Sequence, residues 1–298
     1  MKDILKDYLC HLAGEENVLL NQPLSKHTSF KIGGPAKYYV NVKTKEILIK
    51  LIDALNFIEQ KYFIMGFGCN VLASDNGYDG VVIRPYFKEI IVNANFIYAD
   101  AGANLKLVCN AAKNNGLTGL EWACGIPSTV GGAVYMNAGA YGGEMKDVVT
   151  LVDVLVSGQI KTITATEAKF GYRTSIFHKK KNWIILGAYF YLQKGAKDDI
   201  ITLEAKHAQS RNEKQPKQPS AGSVFLRPEG YFVGKLIDDC RLRGFSIGGA
   251  QISPQHAGFI VNNGGATCND VLAVVKHIKK EVLAKFNVKL KMEIVVLK

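Results

Sequence analysis

Hydrophobic and polar positions alternate between two periods along this chain. "KYYVNV" (37–42) repeats every second residue, as a half-buried strand does, and "EILIKLIDALNF" then sets Ile47, Leu48, Leu51, Ile52 and Leu55 on one helical face. "KYFIM" follows as a short strand and runs directly into the glycine turn "GFGCN" (66–70), which completes a β-α-β unit. After "GVVIRP" (80–85) come the strand-like "EIIVNA" and "FIYADAG", then a helical pattern over "NLKLVCNAAKNNG" with Gly116 as its stop. The stretch 125–144, "GIPSTVGGAVYMNAGAYGGE", follows neither period, and six of its twenty residues are glycine. "TLVDVLVS" and "QIKTITAT" read as strands turning at Gly158, and "WIILGAYFYL" supplies another. The polar, proline-punctuated "QSRNEKQPKQPSAG" (209–222) reads as a domain boundary or a loop over a site. Behind it stand a helix in "YFVGKLIDDCRLRG", a strand in "AGFIVNN", a long helix from Asn269 to Phe286 and a closing strand, "VKLKMEIVVL".

Composition sets this pattern in a soluble globular protein. At 298 residues and 48% hydrophobic, the chain has material for two or three domains. The opening "MKDILKDYLCHL" mixes charges among its apolar residues, unlike a signal peptide, and no stretch approaches the ~20 apolar residues of a membrane span. The six cysteines form no CxxC pair and no metal-ligand spacing with the six histidines, so reduced thiols in a cytoplasm and no metal are expected. A net charge of +11 admits nucleic acid, an anionic ligand or a solvated surface. "HKKKNW" (178–183) is the one dense basic run and lacks interleaved aromatics, so no nucleic-acid partner is expected. Only six of the 37 basic residues are arginine, and their forked donors suit carboxylate and phosphate.

Common phosphate motifs fail. "GFGCNV" lacks the third glycine of GxGxxG and leads into the loop-like "LASDNGYDG", and no GxxxxGK[ST] exists. Two glycine loops remain, each behind a strand, whose backbone N–H groups can form anion-binding nests. Ordinary tight turns are the plain alternative for either loop alone. For the pair, with "NAGAYGGE" adding further turns, a bound dinucleotide is the better reading.

In order along the chain, "FKIGGPA" (30–36), "GFGCNVLASD" (66–75), "GIPSTVGGAVYMNAGAYGGE", "FGYRTSIF" (170–177), "AGSVF" (221–225), "GKLIDDCRLRGFSIGGAQIS" (234–253) and "HAGFIVN" (256–262) resemble the motifs of the UDP-N-acetylenolpyruvoylglucosamine reductase family. The resemblance spans residue 20 to the C-terminus, and the lack of a tyrosine-bearing insertion between the middle strands is similar to the compact branch. It implies an α+β fold with a two-part FAD-binding region of the vanillyl-alcohol-oxidase-like type (1–86 and 87–208) and a C-terminal substrate-binding domain (209–298). It also implies an NADPH-dependent flavoenzyme that makes UDP-N-acetylmuramate for peptidoglycan, with noncovalent FAD, a UDP-sugar substrate and a monomeric, cytoplasmic state. Another FAD-dependent oxidase or dehydrogenase on the same scaffold is the alternative.

The residues carried over by the resemblance fall into three groups. Gly66, Phe67, Gly68, Cys69, Asn70, Val71, Gly125, Ile126, Pro127, Ser128, Gly131, Gly132, Asn137, Gly139 and Ala140 are expected to hold FAD, with the glycines lying against it. Tyr172, Arg227, Lys235, Gln251, His256 and Asn262 are expected at the substrate; a satisfied structural histidine is the commoner fate of a residue like His256. Hydride attack on an enolpyruvyl ether pushes electrons into the carboxylate, which calls for a cation there and a proton for the α-carbon. Arg173 resembles the cation, Ser223 the proton donor, and Glu293 the catalytic glutamate of the last strand. Alternation alone would put Glu293 on a solvated face, opposite Val288, Leu290, Met292, Ile294 and Val296. Three positions depart from the family pattern: Cys69 replaces serine, Ser128 and Thr129 replace glycine and serine, and Arg227 replaces asparagine.

Overall fold

A computed structural model describes residues 3–298, which fold as α+β in two compact units. One unit contains Tyr38–Phe67, Gly80–Arg211 and the N-terminal residues through Leu20; the other contains Asn21–Lys37, Gly68–Asp79 and Asn212–Lys298.

The larger unit holds α1 (Ile4–Ala13), α2 (Lys45–Phe57), α3 (Leu105–Asn114), α4 (Val130–Tyr135) and most of α5 (Lys197–Lys214). The apolar stripe of α2 buries Leu48, Leu51, Ile52 and Leu55, and Thr44 caps its first turn by accepting from the Ile47 N–H. Strand Pro35–Val42 buries Ala36, Tyr38, Val40 and Val42 as the alternation expects, but Tyr39 is buried as well, and Tyr62–Ile64 is not its neighbour: Tyr78–Pro85 lies between them and pairs in parallel with Tyr62–Ile64. A five-stranded antiparallel sheet runs in the order Gln159–Thr164, Val149–Val156, Ile184–Tyr191, Phe96–Asp100 and Ile90–Asn93. Its first hairpin turns through Ser157 and Gly158, both at positive φ, the two-residue geometry that matches strand twist. Helices α3 and α4 pack on this sheet, and the core beneath includes Ile97, Val108, Val134, Val152, Leu186 and Phe190.

Two helices lack the sequence signals that would announce them. Gly131 and Gly132 weaken the propensity of α4, yet the Val130 and Gly131 N–H groups donate to the Ala103 and Ala101 carbonyls, both at 2.9 Å, and Thr129 caps the turn. Helix α5 runs through Lys214 and so takes up the first part of the expected loop 209–222. Of its eighteen residues only Ile200 and Glu204 are buried, so no apolar stripe marks it. Good helix formers and a 2.6 Å pair between Glu204 and Lys113 of α3 hold it instead. The change from one unit to the other falls between Arg211 and Asn212, inside this helix.

In the second unit, α6 (Val233–Asp239) and α7 (Cys268–Phe286) bury Leu236, Ile237, Val271, Val274, Ile278 and Val282 together with Phe30, Ile32 and Leu72. The expected ten-residue closing strand is broken. Met292 bridges Phe225, a bend falls at Ile294, and only Val295–Leu297 forms a strand, parallel to Val71–Ala73. The bend shifts the apolar phase, so Leu297 is buried where the alternation predicts Val296.

Candidate active site

The loop after Tyr62–Ile64 holds several unengaged backbone donors. Met65 N–H still donates to Ile83 O at 2.9 Å, but the N–H groups of Gly66, Phe67, Gly68 and Asn70 find no acceptor among the described residues. Gly68 sits at φ +63°, in the left-handed region, and a Cβ there would lie 2.3 Å from the His27 carbonyl oxygen. Half-buried backbone donors left unsatisfied call for an external acceptor, and an anion is the acceptor such a turn suits. The Arg84 guanidinium stands 5.7 Å from the Phe67 ring and 5.5 Å from the Tyr86 ring, which adds a cation beside the loop. Sequence reasoning passed over Arg84; its signal was the scarcity of arginine. Val71 then opens the buried strand Val71–Ala73.

In the second glycine stretch the close neighbours are protein. A Cβ on Gly66 would lie 2.4 Å from Thr129 Oγ1, so the two glycine motifs meet at the N-cap of α4. A Cβ on Gly131 would meet Ala101 at 3.0 Å, one on Gly132 Ser128 Oγ at 3.1 Å, and one on Gly125 Arg211 Cδ at 3.0 Å. The first N–H groups of α4 are already spent on the Ala101 and Ala103 carbonyls and on Thr129. Nest geometry therefore belongs to residues 66–70 rather than to Gly131 and Gly132. Ser128 is buried with its hydroxyl on Thr129 O, Ile126 is half-buried and Pro127 exposed. Gly139–Ala140 and Gly143–Glu144 form a tight hairpin whose turn residues, Tyr141 and Gly142, both have positive φ.

Arg173 occupies the tip of a second, smaller hairpin. Gly171 and Thr174 exchange backbone hydrogen bonds of 2.9 and 3.2 Å, leaving Tyr172 and Arg173 as the two turn residues. Arg173 has φ +52°, an uncommon conformation for a long side chain. Its Nη2 donates to Gly139 O at 2.6 Å, and its guanidinium lies 5.2 Å from the half-exposed Tyr172 ring. Asn137, fully buried, spends its amide within the protein: Nδ2 donates to Gly171 O and Glu144 Oε2, and Oδ1 accepts from Lys146 N–H. Lys146 and the Asn137 amide, with Arg173 nearby, overcome desolvation and hold the Glu144 carboxyl below its ordinary range.

Ser223 and Glu293 share the other unit and adjacent extended segments. Val224 N–H donates to Gly258 O at 3.0 Å, Glu293 N–H to Val224 O at 2.8 Å, and Leu226 N–H to Lys291 O at 2.9 Å. Residues 223–226 thus run between 256–259 and 291–293. Ser223 is exposed and its hydroxyl has no hydrogen-bond partner among the described residues; Glu293 is half-buried. Asn70 of the glycine loop donates from Nδ2 to Glu293 O at 3.3 Å and accepts from Val295 N–H at 2.9 Å. One ladder therefore ties the loop, the glutamate and the serine together.

Two family models match this chain, an FAD binding domain over residues 36–164, which holds the glycine loops, and the UDP-N-acetylenolpyruvoylglucosamine reductase C-terminal domain over 215–297, which holds Ser223 and Glu293; the Arg173 hairpin lies between them. A UDP-N-acetylenolpyruvoylglucosamine reductase from Caldanaerobacter subterraneus is 46% identical over 99% of this chain and 98% of its own. One from Lachnoclostridium phytofermentans is 43% identical over 99% and 97%. The chain belongs to the UDP-N-acetylenolpyruvoylglucosamine reductase family. The crystal structure of the Thermus caldophilus reductase agrees, with a TM-score of 0.81 and 35% identity over 94% of this chain and 98% of that one.

The remaining polar residues expected at the substrate of a reductase of this family divide by exposure. Arg227 is exposed, with its guanidinium 3.9 Å from the Phe232 ring and Nε donating to Tyr231 O, and Lys235 of α6 is exposed beside Asp239 at 3.2 Å. Lys235 lines a shallow cavity with Asp238, Arg243 and His256, where Arg243 forks onto Asp238 at 2.8 and 2.6 Å. The other three are braces. Asn262 is buried, donating to Phe30 O and accepting from Gly264 and Ala266 N–H. Gln251 bonds Gly244 O and Asn263, and His256 accepts from Gly258 N–H while burial holds its imidazole below the ordinary value. No group of three or more histidine, cysteine or acidic side chains that could hold a metal occurs among the described residues, and no helix there is long and apolar enough to cross a membrane.

Proposed function

We propose that this chain reduces the enolpyruvyl ether of UDP-N-acetylglucosamine enolpyruvate to UDP-N-acetylmuramate, taking electrons from NADPH through noncovalently held FAD, for peptidoglycan precursor synthesis. The observation that carries the reading, beyond family membership, is the ladder that runs the segment of Ser223, whose hydroxyl is unengaged, alongside the segment of Glu293 and bonds the latter to Asn70 of the open-amide loop. FAD, when bound, relays hydride from the nicotinamide to the substrate. The N–H groups of Gly66, Phe67, Gly68 and Asn70, with Arg84, hold its pyrophosphate. Cys69, Val71, Gly125, Ile126, Pro127, Ser128, Gly139 and Ala140 complete its surroundings. Arg173 neutralises the substrate carboxylate as charge builds on it, Ser223 gives its proton to the α-carbon, and Glu293 supports that transfer. Arg227 and Lys235 meet the diphosphate, Arg227 in place of an asparagine, and Tyr172 borders the sugar nucleotide.

The reading extends to a monomer, and to the cytoplasm, the latter supported by six free cysteines. It also divides the cofactor region near residue 86, and the separation of the four-stranded sheet before that point from the five-stranded sheet after it supports two parts. Substrate-dependent NADPH oxidation by the yellow protein is the test. Protein that stays colourless with added FAD overturns the proposal, and a yellow pellet after acid precipitation overturns its noncovalent attachment.

A further inference from the structure

Arg173 is held at two points by one short segment. Gly139 O takes its Nη2 at 2.6 Å, and two residues earlier Asn137 Nδ2 takes Gly171 O at 2.8 Å, the carbonyl at the foot of the hairpin that carries Arg173. Ser175 adds a third tie from the hairpin's other side, its hydroxyl donating to Tyr135 O at 2.6 Å. From this geometry we infer that Asn137, with Ser175 as lesser partner, is a positioning residue for Arg173, fixing the guanidinium where the substrate carboxylate gains charge. The inference rests on the role given to Arg173 above.

The chemistry of the position admits little else. Two N–H donors must point to different acceptors, Gly171 O and Glu144 Oε2 at 2.9 Å, while an oxygen accepts the Lys146 N–H at 2.9 Å. Among side chains small enough for the site only asparagine supplies both functions. Asparagine also tolerates the φ of +43° found here. Aspartate would lose both donors and set a second carboxylate against Glu144. Arg173 itself sits at φ +52°, where a non-glycine residue stays only if its surroundings impose it. The ties to residues 135–139 are that imposition, and they remove freedom from a long side chain before substrate arrives.

Asn137→Gly removes the amide and leaves a backbone that accepts positive φ without strain. FAD content and bleaching by NADPH should stay within about twofold of the parent. Reoxidation by the enolpyruvyl substrate, measured by anaerobic rapid mixing, should slow about 10- to 100-fold, the scale of an ångström-sized misplacement. Added to Arg173→Ala, Asn137→Gly should slow reoxidation no further, because the group it positions is gone. Ser175→Ala should show the same split at smaller size, and it carries the test if Asn137→Gly fails to retain FAD. Additive slowing in the double variant, or equal slowing of both half-reactions in either single variant, overturns the inference in favour of a purely structural or cofactor-holding role. If Arg173→Ala alone leaves reoxidation unchanged, the proposed role of Arg173 fails instead.

Discussion

Ser223→Ala separates chemistry from folding because of where the hydroxyl stands. It has no partner among the described residues, while the backbone around it is held by the Phe259 bridge and by both bonds of Val224. Truncation therefore breaks no contact of the resting protein, and the change in stability should stay within about 0.5 kcal/mol, as for an ordinary surface substitution. Losing a positioned general acid costs about 10²- to 10⁴-fold in rate. At about 1.36 kcal/mol per decade that is roughly 2.7–5.4 kcal/mol on the barrier, several times the stability effect. The first half-reaction, bleaching by NADPH, involves neither the enol ether nor its carboxylate and should run near the parent rate. Substrate-driven reoxidation without oxygen should slow by the full factor. Slowed bleaching with normal reoxidation would refute the reasoning and move Ser223 among the contacts of the nicotinamide or the flavin.

Three further outcomes follow from the geometry. Glu204→Ala leaves Lys113 without its 2.6 Å partner and should cost about 1–3 kcal/mol in chemical denaturation, Glu204→Gln less; parent-like stability in Glu204→Ala would refute the pinning of α5. Burial holds His178 and His256 below the ordinary histidine value of 6.5, so below about that pH the unfolded chain binds protons the folded one does not, and stability falls on acidification. His178→Phe keeps a ring against Tyr135 and should lessen the loss of denaturation midpoint between about pH 7 and about pH 5.5; an unchanged loss refutes the assignment. Gly143→Ala drives a Cβ to 2.3 Å from buried Trp122 and should cost about 1–3 kcal/mol, whereas Gly142→Ala meets open space and costs only about 1 kcal/mol through its φ of +91°; thermal unfolding in the reverse order would refute this.

Much of the scaffold was legible because burial writes a period into the residues. Leu48, Leu51, Ile52 and Leu55 declare α2, and Gly158 declares its hairpin. Helix α5 escaped because it buries almost nothing, and α4 because the partners that hold it, Ala101 and Ala103, lie far away in sequence. The closing strand misled because its alternation continues through Ile294, where the backbone bends. Glycine is the hardest residue to read. Its density between 125 and 143 announced close approach, but composition cannot say to what. Gly143 yields to Trp122 and Gly131 to Ala101, whereas the amides left open belong to the sparser loop 66–70. Asn137, Asn262 and Gln251 teach a related lesson: a motif marks a position as required, and an asparagine can be required for what it holds inside the protein.

That distinction bears on how the second unit presents its chemistry. Glu293 follows Met292, whose bridge to Phe225 sets the register, and precedes the bend at Ile294 that turns the chain onto Val71–Ala73. In an extended segment a slip of one residue exchanges the two faces, so a register shift here would put Met292 or Ile294 where the carboxylate belongs. Two independent locks oppose that slip: the bonds of Val224 and Leu226 on one side, and the parallel pairing of Val295–Leu297 on the other. Asn70 joins the second lock, because it accepts from Val295 N–H and donates to Glu293 O. Asn70 of the open-amide loop and the Glu293 backbone are therefore set by the same hydrogen bonds. A displacement of one must displace the other, so under the roles proposed for this loop and for Glu293 the cofactor contact and the proton-transfer geometry would be coupled through the backbone, with no side-chain relay.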